Sequence, residues 1–288
     1  MACLAGGAQL HSRANLEAIG GRIGTSSLAE DTITTFGTQL AGNRAVFEPH
    51  AVVIAEEPGR IAALWRQRMR WARGNVQVTR RYRHLWFRPT RAHGLGGVSF
   101  GLFWFSILLQ PVFMILASVG LVTLFFTDPE LASRAFRGVW IITALSYLLI
   151  TMLALTMDPA TGRRCWPQAV MFPGVVSLAL ITYALFPGPS IHLFDRGLSL
   201  VGVTLTPREE RGIVLAIYLW LALSMVVAWL AKLVEDRPGG RWLSPLLLYL
   251  GGYGPLLCAV TFAAYVKELR HSDMTWEKTE KTGKAIGP

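Results

Sequence analysis

Polar and apolar positions are mixed along the first 93 residues of the chain, and beyond them long uncharged runs take over. Five windows approach or exceed the roughly 20 apolar residues needed to cross about 30 Å of hydrocarbon. They run from Val98 to Phe126, Val139 to Met157, Ala169 to Phe186, Ile213 to Leu233 and Leu243 to Val266. Pro111 inside the long first window predicts a kink or an interfacial lead-in helix. The third window is short, bounded by Pro173 and Pro187, and reads as either a weak span or a re-entrant segment. Gly251-Gly252, with Gly254 and Pro255, predicts a bend and close packing in the last. Trp104, Trp140, Trp166, Trp220, Trp242 and Tyr249 fall mostly near window ends, as an aromatic belt requires. Gly188 to Arg211 holds Asp195, Arg196, Glu209 and Glu210, and reads as a loop or interfacial stretch.

The front part reads as alternating α/β. An extended piece leads from Gly6-Gly7 to His11, and a helical turn over Asn15 to Ile19 is closed by Gly20-Gly21. Ser27 is positioned as an N-cap with Glu30 three residues on, the capping-box spacing. The helix that follows, from Leu28, stops at Gly42. Arg44 to Glu48 and Ala51 to Ala55 read as two short strands around Pro49. A second helix runs from Gly59 past Gln77, with Ile61, Leu64, Trp65, Met69 and Ala72 as its buried stripe.

Composition supports a lipid-embedded chain. Of 288 residues, 52% are hydrophobic and 16% charged, against roughly 25% charged in soluble domains. The net charge of +10 is local, because ten arginines and no acidic residue lie between Arg60 and Arg91. Such a cluster before a first span predicts a cytoplasmic front part. Lys267, Arg270, Lys278, Lys281 and Lys284 predict a cytoplasmic tail as well, and hence an even number of crossings. The three cysteines and six histidines show neither a disulfide framework nor a metal-ligand spacing. Met1 to Gly24 lacks the apolar core of a secretory signal, so the first span serves as the insertion signal. The basic run with interleaved aromatics could also meet nucleic acid or anionic lipid, but a juxtamembrane basic run ordinarily reports orientation, and nucleic acid is not expected as a partner.

Two constellations carry chemistry. Gln67, Arg70, Trp71 and Gly74 recur at i, i+3, i+4 and i+7 and share one face of the second helix. A guanidinium there grips phosphate oxygens in a two-pronged fork, an indole stacks on a sugar ring, and Gly74 leaves space. Upstream lies the pair Glu30-Asp31 at a helix start, where the dipole and free N–H groups favour negative charge. Sugar transfer needs a base to take the proton of the attacking hydroxyl, and Asp31 is the candidate, with Glu30 orienting the same site. The competing reading, a non-catalytic membrane subunit or transporter component, is disfavoured by the near absence of ionisable residues in the spans.

These motifs, in this order, resemble glycosyltransferase family 2, specifically the processive synthases of cellulose, chitin, hyaluronan and poly-N-acetylglucosamine. Gly6 to Arg13 is similar to the family's glycine-led strand ending in arginine, and Gly20-Gly21 to its double glycine before the acceptor region. Glu30-Asp31 resembles its Thr-Glu-Asp motif, with Ala29 replacing the threonine. Gln67-Arg68-Met69-Arg70-Trp71 resembles its Gln-x-x-Arg-Trp motif, and Met274 to Thr279 its Trp-x-Lys-Thr stretch. The resemblance implies the C-terminal half of a GT-A nucleotide-sugar transferase domain over 1–93, an α/β fold. An all-α transmembrane bundle of four to five spans over 94–267 and a basic tail over 268–288 complete the chain. It implies Asp31 as catalytic base, Gln67 and Arg70 on the donor diphosphate, Trp71 as acceptor platform, and Arg13 and Gly21 as donor or acceptor contacts.

The family binds its UDP-sugar and Mg2+ or Mn2+ through a first half rich in aspartate motifs. Asp31 is the only aspartate in residues 1–93, so metal ligands are expected elsewhere, in a preceding segment or a separate N-terminal polypeptide, and the isolated chain is expected to be inactive. The expected partners are a nucleotide-sugar, a glycan or lipid-linked acceptor and the bilayer of the inner membrane.

Overall fold

The computed structural model describes residues 8–274, apart from 25, 26, 49, 50, 52, 54 and 158. Among the described residues the chain forms twelve α-helices and one 3-10 turn, and no β-strand. The expected α/β front is therefore wrong for this part of the chain. Arg44 to Glu48 forms no strand, nor do the described residues of 8–11 and 51–55. Val46, Phe47 and Val53 are exposed, without the cross-strand and same-face packing from which strand preference arises. Gly6-Gly7 and 275–279 of the tail motif lie outside the described residues.

The helices pack as two units, one built from residues up to Gln110 together with those from Val260, the other from Pro111–Ala259. In the first, α1 (Arg13–Ala18) is capped by Ser12, whose Oγ accepts from Asn15 N at 3.1 Å. Gly20 and Gly21 close it with φ of +99° and +72°, and Gly21 N donates to Leu16 O at 2.7 Å in a Schellman turn. The expected strand end at Arg13 is thus the first residue of a helix. α2 (Glu30–Leu40) stops at Gly42 as predicted: φ there is +82°, and Asn43 N donates to Thr38 O at 3.0 Å.

The start of α2 departs from the capping-box expectation. Its N-cap is Ala29, which has no side chain to cap with, and Ser27 Oγ is engaged elsewhere. α3 (Ile61–Arg81) buries Trp65, Met69 and Ala72 of the predicted stripe, leaves Ile61 and Leu64 half-buried, and adds Ala62, Ala63, Arg73, Gly74 and Val78. α4 (Val98–Leu108) follows a 3-10 turn at Gly94–Gly96. Phe36 of α2, fully buried, anchors an aromatic core with its ring 4.9 Å from Tyr82 and 6.1 Å from Phe100 and Trp104. Trp86 stacks on Trp104 at 5.3 Å. Both indole N–H groups donate to Thr79, one to its carbonyl at 3.0 Å and one to its hydroxyl at 2.8 Å. Trp104 therefore belongs to a core and not to an aromatic belt.

The remaining helices are α5 (Gln110–Thr127), α6 (Pro129–Met157), α7 (Pro159–Val170), α8 (Val175–Leu185), α9 (Pro187–Leu200), α10 (Pro207–Val234), α11 (Gly240–Gly251) and α12 (Tyr253–Leu269). Among the described residues three helices are long and apolar enough to cross a membrane: α5, α6 over Pro129–Leu153, and α10. A fourth span results if α11 and α12, bent by 97°, count as one. The first predicted window is broken at Leu109, so α4 is a separate apolar helix of 11 residues. α8 also has 11 residues, about 16 Å at 1.5 Å each, half a bilayer core.

The stretch 188–211, expected as a loop or interfacial segment, is mostly helical: α9 ends at Leu200, a six-residue link follows over 201–206, and α10 begins at Pro207. Pro187 opens α9 and Pro207 opens α10, since proline suits a first helical turn, and Thr206 with Glu209 forms a capping box on α10. Trp140 is buried with Phe136, Leu180 and Tyr218 in the core of the second unit, again no belt residue. Trp220 Nε1 donates to Ser177 Oγ at 3.1 Å, whereas Trp166, Trp242 and Tyr249 are exposed.

The predicted bend at Gly252 is present. Gly252 has a φ of +97° and abuts Gly174, φ +85°; a Cβ on Gly174 would lie 2.6 Å from Gly252 N. Tyr253 N, freed by the bend, donates to Phe172 O at 2.9 Å, as a break in an apolar setting requires.

Candidate active site

α3 presents Gln67, Arg70 and Trp71 along the face expected of them, whereas Gly74, expected to leave open space beside them, is buried against Ala29. Trp71 is 42% exposed, and the Arg68 guanidinium carbon sits 4.2 Å from its ring centroid, a cation–π arrangement. Gln67 Oε1 and Arg68 Nε are buried without hydrogen-bond partners, an arrangement that costs free energy unless a ligand completes it.

Gly74 is what brings the lead-in of α2 onto this helix. A Cβ there would lie 2.6 Å from Ala29 Cβ, 2.8 Å from Ala29 N and 3.0 Å from Leu28 C, so only glycine admits the approach. The residues immediately before Glu30-Asp31 are thereby held against α3 one turn from Arg70 and Trp71. Glu30 and Asp31 occupy the first turn of α2 and are half-buried. Asp31 Oδ1 accepts from Thr32 N at 2.7 Å and from Thr32 Oγ1 at 3.3 Å. Thr34 and Thr35 hydroxyls donate back to the carbonyls of Glu30 and Asp31 at 2.6 and 2.8 Å.

Arg13 and Gly21 are engaged otherwise. Arg13 Nε pairs with Glu17 Oε1 at 3.0 Å within α1, its side chain almost fully exposed. Gly21 serves the turn after α1, and a Cβ built on it meets no heavy atom within 4 Å. α1 is tied to the far end of α2 through buried Asn15, whose Nδ2 donates to Thr38 Oγ1 at 3.1 Å and whose Oδ1 accepts from Asn43 Nδ2 at 3.1 Å.

Three residues near the site went unnoticed in the sequence. Arg68 stands three positions before Trp71, a spacing that puts them side by side on a helix. Arg73 belongs in sequence to the arginine-rich run, yet it is 4% exposed and paired with Glu268 at 2.6 Å. Gln77, four residues further along the same face, bonds the same carboxylate. Nothing in the sequence points from 73 to 268.

Among the described residues no group of three His, Cys, Asp or Glu side chains could hold a metal ion. The Mg2+ or Mn2+ that the family resemblance implies finds no such ligand group among the described residues, and no step is routed through it.

The family model for glycosyl transferase family group 2 matches residues 3–157, taking in α1 to α6. The chain belongs to this family. The matched stretch carries Glu30, Asp31 and the whole of α3, and it extends beyond them through the first two membrane-length helices. The chain is also similar to the "Probable glycosyltransferase YdaM" of Bacillus subtilis (strain 168), with 29% identity over 149 residues, which cover 51% of this chain and 34% of that protein. The chain thus aligns with about a third of the length of that curated relative. No solved structure matches the chain significantly.

Proposed function

We propose that this glycosyltransferase is a membrane-bound, inverting enzyme that moves a sugar from a UDP-sugar to a growing polysaccharide or lipid-linked acceptor. Asp31 takes the proton from the acceptor hydroxyl as its oxygen attacks the anomeric carbon. The bond from that carbon to the diphosphate oxygen breaks, and the diphosphate leaves carrying the negative charge. Arg70 and Gln67 face the diphosphate, Trp71 stacks on the acceptor sugar, and Glu30 orients the base. Donor and metal binding are assigned to a first half of the enzyme, on the same or a separate polypeptide. The arginine-rich front part faces the cytoplasm, where UDP-sugars are made available, and the apolar helices lie in the inner membrane.

The observation that supports this reading best is the contact at Gly74, which packs the lead-in of Glu30-Asp31 onto the helix of Arg70 and Trp71. The buried, unpartnered Gln67 Oε1 adds to it.

The test is Asp31→Asn in the complete enzyme, this chain together with its donor-binding first half reconstituted in membranes, assayed with radiolabelled UDP-sugars. Removing a general base costs about 10²- to 10⁴-fold in rate, with membrane insertion intact. A non-catalytic membrane subunit or transporter would be indifferent to the change, and undiminished transfer by Asp31→Asn refutes the assignment.

A further inference from the structure

Arg73 points away from the Trp71 face and spends its whole guanidinium on the end of the last helix. Nε donates to Glu268 Oε1 at 2.6 Å, Nη1 to Asp273 O at 2.9 Å and Nη2 to Ser272 O at 2.7 Å. Glu268 Oε1 also accepts from Gln77 Nε2 at 3.0 Å. At its other end, Gln77 Oε1 accepts from Ser27 Oγ at 3.0 Å and from Leu28 N at 3.1 Å, and Ser27 Oγ accepts from Ala29 N at 3.1 Å. One continuous chain of hydrogen bonds thus runs from the backbone after α12, through α3, to the three residues that precede Glu30-Asp31. All of it lies within the first unit.

The orientation of Gln77 follows from its neighbours. Leu28 N–H can only donate, so the amide oxygen must face it, and a carboxylate can only accept, so the amide nitrogen must face Glu268. A buried ion pair adds little net stability, but losing one partner strands the other charge. Such a pair is better suited to fixing one geometry than to holding a fold together.

The geometry points to Gln77 and Glu268 as positioning residues for sugar transfer. They fix Leu28 and Ala29, and through them the first turn of α2, so that the chain leaving the last helix sets where Asp31 stands. This inference rests on Asp31 acting as the base, as proposed above.

The test uses the membrane-reconstituted enzyme with five variants. Gln77→Ala and Glu268→Ala are expected to lower kcat by about 10- to 100-fold, the scale of a misplacement of up to 1 Å, with the donor KM within about twofold. In Gln77→Ala the amides of 27–29 should also exchange hydrogen faster. Gln77→Glu sets a carboxylate against Glu268 and should fail similarly. The pair Gln77→Glu with Glu268→Gln restores every donor and acceptor: the new carboxylate accepts from Ser27 and Leu28, while the new amide donates to it and accepts from Arg73. Recovery of kcat to within about threefold of the parent is the expected result, and it also excludes misfolding as the cause of the single losses. A double variant no better than Gln77→Glu alone, or Gln77→Ala with faster exchange but unchanged kcat, overturns the inference. The fifth variant, Asp31→Asn, should lose transfer without changing exchange at 27–29. If it keeps transfer, the base assignment fails, and the rescue pattern still decides whether Gln77 and Glu268 position the site.

Discussion

Replacing Gly74 with alanine tests the candidate site at its tightest point. The new Cβ would stand 2.6 Å from Ala29 Cβ and 2.8 Å from Ala29 N, against ordinary contacts that begin near 3.4 Å, so something must move by about 0.8 Å. The atoms in the way include backbone on both sides of the 28–29 peptide, and no flexible side chain can yield instead. Alanine in a helix interior gains about 1 kcal/mol over glycine, whereas overpacking costs about 1–3 kcal/mol. Stability should therefore fall by no more than about 2 kcal/mol, and the protein still folds. Activity should fall further, because displacing the lead-in of Asp31 by nearly 1 Å costs on the order of 100-fold in rate. The assay pairs thermal unfolding with initial rates of sugar transfer in reconstituted membranes. Gly37→Ala is the control, since its Cβ would meet only Ile19 at an ordinary 3.7 Å and should stabilise α2 by a few tenths to about 1 kcal/mol. A Gly74→Ala enzyme with parental turnover would refute the claim that this contact sets the site.

Two further outcomes concern the rest of the fold. Gly174→Ala should destabilise the protein severely, by about 1–3 kcal/mol for the backbone conformation alone and more from overlap with the Gly252 backbone, whereas Gly188→Ala, with open space around its Cβ, should be neutral; unfolding in detergent distinguishes them. Burial raises the Tyr82 phenol above its ordinary 10.0, with Arg81 partly offsetting the shift. The stability this provides is complete below pH 10 and lost as pH rises through the raised value, so alkaline unfolding followed by near-UV signals should begin later in Tyr82→Phe.

What could be read from the sequence was periodicity and punctuation. The helix carrying Gln67, Arg70 and Trp71 was legible because apolar residues recur at three and four, and Gly42 and Gly252 were legible because positive φ leaves few other residues. The two short strands were not legible, because strand preference depends on a neighbour that a single segment cannot reveal. The same holds for the tryptophans. Position near a window end suggests a belt, yet Trp104 packs half-buried against the aromatic core around Phe36, and Trp140 is buried among helices far away in sequence.

Arg73 presents the sharper lesson. Within residues 60–91 all ten arginines look alike, and a basic run before a membrane helix is read by its sum. What separates Arg73 from the others is a carboxylate 195 positions away and the two backbone carbonyls beyond it, which pattern analysis cannot reach. In the structure Arg73 lies one position before Gly74, where α3 meets the lead-in of α2, and four before Gln77. A charged residue beside such an approach must either turn to solvent or find a buried partner, and a partner of opposite charge has few sources here. No acidic residue occurs between Arg60 and Arg91, so any carboxylate that meets Arg73 has to come from another part of the chain. The pair therefore joins α3 to α12 and not to α3's own arginine-rich neighbours.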